Sequence, residues 1–166
     1  MYSIYIFTRK RDLPICASRG DFMQLTTYTD YSLRVLMYLA VHGGELATIE
    51  EIADAYAISR GHLMKVVHQL GLAGYVETVR GRGGGLRLAR KPEQIRIGDV
   101  VRRTEDNLVL VECFDPKEGN CRIEPACSLR LVLKEALESF FRTLDVYTLA
   151  DLVVPRQKRL AQLLAS

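Results

Sequence analysis

Between Ala47 and Leu88 the chain reads ATIEEIADAYAISRGHLMKVVHQLGLAGYVETVRGRGGGLRL, an order of helical and strand-like signals that few architectures accept. Thr48 with Glu51 three residues on is a capping-box pattern, opening a short helix that buries Ile49, Ile52 and Ala53. The tight YAIS connection leads to Ser59, a natural N-cap, and to a further helix whose inner face is Leu63, Val66, Val67 and Leu70. His62, Lys65 and Gln69 project from the other side, and this helix carries no acidic residue. Two helices joined by so short a turn read as a helix-turn-helix. An ordinary three-helix core with a basic solvated face would share the pattern, so the helices alone leave the function undecided.

The next segment decides it. Two β-like runs, Tyr75–Val79 and Leu86–Leu88, flank RGRGGG. Glycine supplies the positive-φ positions of a hairpin tip and lets backbone approach a phosphate closely. Arg80, Arg82, Arg87, Arg90 and Lys91 fall in one short stretch with no acid between them. A basic hairpin directly after a helix-turn-helix is a wing, placed to follow the DNA backbone or enter the minor groove. A dinucleotide-binding turn would need a helix after the glycines, and a strand follows instead. The predicted DNA contacts are Ser59, Arg60, His62 and Lys65 in the major groove, with Arg80 and Arg82 in the wing.

Outside this module the periodicity stays helical. Leu33, Leu36, Met37 and Ala40 repeat at helical spacing before Gly43 and Gly44, and a short helix is predicted from Ile97 to Thr104. After residue 128 the set Leu129, Val132, Leu133, Ala136, Leu137, Phe140, Phe141 and Leu144 is too wide for one contact face of a small domain. A helix of roughly sixteen residues there, about 24 Å long, is predicted to pair with its twin in a homodimer. Thr148 is placed to cap a last short helix. The predicted fold is mainly α with a small β-wing, a winged helix-turn-helix domain plus a long dimerisation helix. Its divisions are an N-terminal extension at 1–22, the DNA-binding domain at 23–104, a cysteine loop at 105–128 and the helical tail at 129–166.

The extension, with Cys16, looks unlike the rest, and Met23 is the expected natural start, residues 1–22 being a disordered arm or a misassigned start. Its apolar stretch is short, and Arg9, Lys10 and Arg11 follow it, the wrong order for a secretory signal. From Met23 onward 19 basic and 18 acidic residues leave a net charge of only +1, so basicity is concentrated by position and not by total. No apolar run approaches the length of a bilayer span. A cytoplasmic protein with reduced thiols is predicted, with no membrane partner.

Three of the four cysteines then sit in CFDPKEGNCRIEPAC, spaced C-x7-C-x5-C among Pro116, Gly119, Asn120 and Pro125. Such a polar loop is a poor place for core cysteines, and a disulfide is not expected in the cytosol and would leave one of the three thiols unpaired. A structural zinc site usually shows a tight cysteine pair and four protein ligands. Several thiolates on a flexible loop suit an iron–sulfur cluster. Spacing alone leaves iron–sulfur, zinc, a bare-thiol switch and structural cysteines all open. No flavin or nicotinamide fingerprint, catalytic triad or paired carboxylates stand out, so an enzyme is not predicted.

Taken together, LTTYTDYSLRVLMYLA, ISRGHLMKVVHQLGLAGYVETVRGRGGGLRL, IRIGDVV, the LVEC cysteine loop and SFFRTLDVYTLADL resemble the Rrf2 family of bacterial regulators, and within it the nitric-oxide-sensing repressors. The resemblance runs from about Met23 to Leu164. It implies a winged-helix homodimer on a palindromic double-stranded DNA operator, with an iron–sulfur cluster, [4Fe-4S] or [2Fe-2S], held by Cys113, Cys121 and Cys127. It also implies a fourth ligand from Asp30 of the partner subunit, though an acid in that place is commonly just a helix-start residue. Cluster-status sensors of the family carry a His where this chain has Arg130, whereas iron-responsive relatives share its three cysteines and remain the rival. The first cysteine interval is longer than the family usually shows. Outside this class, the alternative is an iron–sulfur electron-transfer protein.

Overall fold

A computed structural model of the protein describes residues 24–105, 110–114 and 121–165. The expectations for residues 1–22, Cys16 and Met23 lie outside the described residues, as does the middle of the first cysteine interval. The first helix, α1 (Thr27–Val41), is capped by the Thr26 hydroxyl, which accepts from the Thr29 backbone N–H. It is followed by α2 (Ile49–Tyr56) and α3 (Arg60–Leu72). The Thr48 capping box forms as predicted: the Glu51 carboxylate accepts from Thr48 N–H at 2.6 Å, and Glu51 N–H donates to the Thr48 hydroxyl at 3.2 Å. Ser59 caps α3, and Leu63, Val66, Val67 and Leu70 are its buried residues.

The wing is the antiparallel hairpin β1 (Val76–Val79) and β2 (Gly85–Leu88), with Glu77 opposite Arg87. Ala47 flanks the hairpin, exchanging backbone hydrogen bonds with Leu86, which ties the wing to the start of α2. Gly84 is required at the tip, because a Cβ there would overlap the Val79 carbonyl oxygen. After the wing come α4 (Ile97–Thr104), α5 (Ser128–Val146), α6 (Leu149–Val153) and α7 (Gln157–Leu164).

The core gathers α1, α2, α3, the wing and α4, with Leu149 and Val153 of α6 closing it. The chain returns to this core through paired backbone bonds, Ile97 N–H to Tyr147 and Leu149 N–H to Ile95. The predicted short helix after Thr148 is present, with Asp151 completing its capping box. It continues through a 3-10 turn into α7, which the sequence reading left out. At 19 residues α5 is also longer than the sixteen expected, and none of its side chains is fully buried. No helix among the described residues is long and apolar enough to cross a membrane.

Candidate functional site

One surface of the core presents α3 and the wing. Arg60, His62, Lys65, His68 and Gln69 are all exposed along α3, and the helix has no acid in its sequence. Ser59 spends its hydroxyl as the N-cap, accepting from His62 N–H at 3.4 Å. Arg60 does not extend freely: its guanidinium is paired with Glu50 of α2. The His62 ring lies 6.3 Å from that of Tyr31 on α1. Lys65 has no ion-pair partner among the described residues. Met64 is 56% exposed beside these polar side chains.

In the wing the five cations separate into two kinds. Arg87 is bound to Glu77 by two hydrogen bonds, at 3.0 and 3.1 Å, which hold the Glu77 carboxyl below the usual carboxylate range. Arg90 covers the Tyr75 ring at 5.1 Å and donates to the Ala73 carbonyl. These two rivet the hairpin. Arg80 and Arg82 at the tip are exposed and unpaired among the described residues, and Lys91 is exposed beyond them. Gly81 and Gly83 take positive φ there, +105° and +75°, which turns the tip tightly.

The second cluster lies where the DNA module meets the cysteine loop. Thr26 donates from its backbone N–H to Glu105 Oε1 at 2.8 Å and from its hydroxyl to the same oxygen at 3.2 Å. Glu105 is buried, and beside it the Thr29 hydroxyl donates to Thr104 Oγ1 at 2.9 Å. A buried carboxylate needs such donors, and here they fasten the start of α1 to the end of α4. Asp30 is one residue further along. It is a first-turn acid, half exposed, and its carboxylate is held by Arg34 one turn on at 3.0 Å.

The three thiols Cys113, Cys121 and Cys127 are free and partly buried. Cys113 lies in a 3-10 turn, Glu112–Phe114, and Cys127 stands at the N-cap of α5. Among the described residues they do not converge, with each other or with Asp30, into a ready set of three metal ligands. The donor chemistry nevertheless fits a soft metal group: three unpaired thiols with no disulfide, on one loop.

At the far end α5 is fastened to α4. Arg102 makes a fork on Asp145 with both bonds at 2.6 Å, and its guanidinium covers the Phe141 ring at 4.4 Å. The fork lowers the Asp145 pKa and raises that of Arg102. Gly98 makes the approach possible, since a Cβ there would overlap the Asp145 carboxylate. The opposite half of α5 carries Leu129, Leu131 and Val132, each at least 60% exposed. These contacts join residues 43 apart, which no local pattern could have signalled.

A family model described as "Rrf2: Iron-dependent Transcriptional regulator" matches residues 25–155. HTH-type transcriptional regulator NsrR of Bacillus subtilis (strain 168) is 58% identical over 132 residues, which is 79% of this chain and 90% of that protein. Among solved structures, T. potens IscR aligns with a TM-score of 0.66 at 27% identity, covering 82% of this chain and 90% of its own. CymR (YrzC), the global cysteine regulator of B. subtilis, aligns with a TM-score of 0.62 at 27% identity, covering 79% and 96%. With the winged helix, the acid-free third helix and a match over most of its length, the chain belongs to the Rrf2 family and is an NsrR-like transcriptional regulator.

Proposed function

We propose that the protein is a homodimeric repressor whose affinity for a palindromic operator is set by an iron–sulfur cluster that reacts with nitric oxide. The observation that carries this reading is the place of the three free thiols. They occupy the segment that joins the DNA module to a helix whose first half exposes Leu129, Leu131 and Val132. Cys113, Cys121 and Cys127 would hold the cluster, with Asp30 of the partner subunit as fourth ligand. The cluster, when bound, supplies iron that nitric oxide can attack.

The chain's own residues do the rest. Ser59, Arg60, His62 and Lys65 face the major groove, and Arg80 and Arg82 reach phosphates or the minor groove. To contribute, Arg60 must leave Glu50 for the DNA. Met64 offers an apolar contact of the kind that thymine methyl groups accept. Glu105 ties the entrance of the cysteine loop to the helix start that carries Asp30, while Arg102 and Asp145 hold the far end of α5. A change in the loop therefore bears on both ends of the DNA module. A coupling of about 1–3 kcal/mol between loop and operator would change DNA affinity roughly 5- to 150-fold, enough for a repressor.

Anaerobic purification with iron and sulfide analysis, followed by operator binding, tests the reading. Bound iron and sulfide in a dimer that grips DNA is the expected result. A colourless, iron-free protein that binds DNA as tightly would leave a bare-thiol switch. Loss of binding on iron chelation, with indifference to nitric oxide, would favour an iron-responsive regulator.

A further inference from the structure

Cys127 sits at the N-cap of α5, yet its side chain does not cap the helix. Arg130 stands at the N3 position, from which a side chain reaches back toward the N-cap, as the Glu51 side chain does toward Thr48 in α2. One edge of the Arg130 guanidinium is spoken for: Nη2 lies 3.4 Å from Glu124 Oε1. Its Nε is buried and has no hydrogen-bond partner among the described residues. Glu124, Cys127 and Arg130 line the same hollow at the head of the helix. The side chain as a whole is 40% exposed, so the shielded Nε is a donor left open to an acceptor at the head of the helix. The first turn of α5 contains no acid that could serve, and Glu124 is already engaged through another nitrogen.

We propose that Arg130 is a positioning residue for the thiolate of Cys127: its Nε–H donates to that sulfur once the sulfur is a metal ligand. Glu124 anchors the other edge of the guanidinium in the hollow that Cys127 also lines. This rests on the reading that the three cysteines hold an iron–sulfur cluster. A hydrogen bond to a ligating sulfur draws electron density from it, weakens the iron–sulfur bond slightly and stabilises the anionic assembly against loss. Arg130 itself ligates nothing, since a guanidinium has no lone pair to offer.

The test compares wild type with Arg130→Gln and Arg130→Met after anaerobic reconstitution with ferrous iron and sulfide. Gln places an amide N–H at the same bond count from the backbone as Arg Nε, without the charge. Met fills similar volume and donates nothing. Iron and sulfide content is measured first, then the iron–cysteine stretching band by resonance Raman, then the rate of iron loss to a chelator. The Met variant should show the band at higher frequency and lose iron about tenfold faster, the factor expected for one hydrogen bond to a charged group. The Gln variant should stay close to wild type in both. A Met variant matching wild type would overturn the assignment, and so would a Gln variant matching Met. A wild type that takes up no iron and sulfide would instead overturn the cluster reading itself, and the iron analysis separates the two failures. Far-UV circular dichroism checks that all three proteins keep their helices.

Discussion

At the scale of single residues, the helix starts show how little sequence is needed to fix a boundary. Thr48 and Thr148 each meet a carboxylate three residues on, Glu51 and Asp151, and both boxes close. Thr48→Ala should lower unfolding free energy by about 1 kcal/mol, the usual cost of a lost N-cap, as measured by urea denaturation. The hydrogen bonds from Thr48 hold the Glu51 pKa below its ordinary 4.5, and those from Thr148 hold Asp151 below 3.8. Both groups bind their proton less readily in the folded chain than in the unfolded one. Their contribution is therefore complete above those ordinary values and lost as pH falls through the lowered folded ones. The Glu51→Gln variant, which has no carboxylate to titrate there, should show a smaller loss of stability between about pH 6 and pH 3 than wild type. An equal loss in both would show that the box is not the source. The Thr48 box was legible because both members lie within one turn, and Thr148 was legible as a cap without its partner Asp151. Glu105 was not: its partner Thr26 is 79 residues away, and only the fold brings a carboxylate under that helix start.

At the scale of elements, α3 is where sequence and structure agree most closely. The 3.6-residue period alone placed Leu63, Val66, Val67 and Leu70 inward and His62, Lys65 and Gln69 outward. The wing was legible as a hairpin but not in its division of labour. Counting basic residues could not tell that Arg87 and Arg90 are bound to Glu77 and Tyr75, because cross-strand register decides it. The Arg60–Glu50 pair was hidden from the sequence for the same reason, since it joins two helices across a turn. Lys65→Ala should weaken operator binding. Arg82→Ala should weaken it and also reduce the slope of log affinity against log salt by about 0.9, the value of one phosphate contact. Fluorescence anisotropy at several salt concentrations measures both, and wild-type behaviour in both variants would contradict the placement. Of α5, the sequence signalled an apolar face too wide for one domain. It did not signal that Arg102, Gly98 and Asp145 fasten only one end, since that clasp depends on two helices meeting closely.

At the scale of the whole molecule, a compact winged-helix core is joined to a 19-residue helix whose exposed apolar residues need a partner. The partner we propose is a second copy of the chain, which also suits paired half-sites on DNA. Val132→Asp alters a side chain that is 60% exposed, so the fold should survive while the dimer does not. Light scattering after size exclusion should give the monomer mass, and operator affinity should fall about 100-fold or more as the gain from two linked contacts is lost. A dimeric Val132→Asp protein would move the interface elsewhere. The family and the architecture stand on the match over residues 25–155 and on the winged helix. The thiol loop was legible as a cluster of donors, but whether it holds a group, and which, was not, because cysteine spacing describes donors and not the group they hold. The most direct test of control by that loop is an anaerobic titration of the reconstituted dimer with nitric oxide, following visible absorbance and operator binding in one sample. The account predicts that DNA affinity falls in step with the loss of cluster absorbance. Operator binding that persists after the absorbance is gone would contradict it.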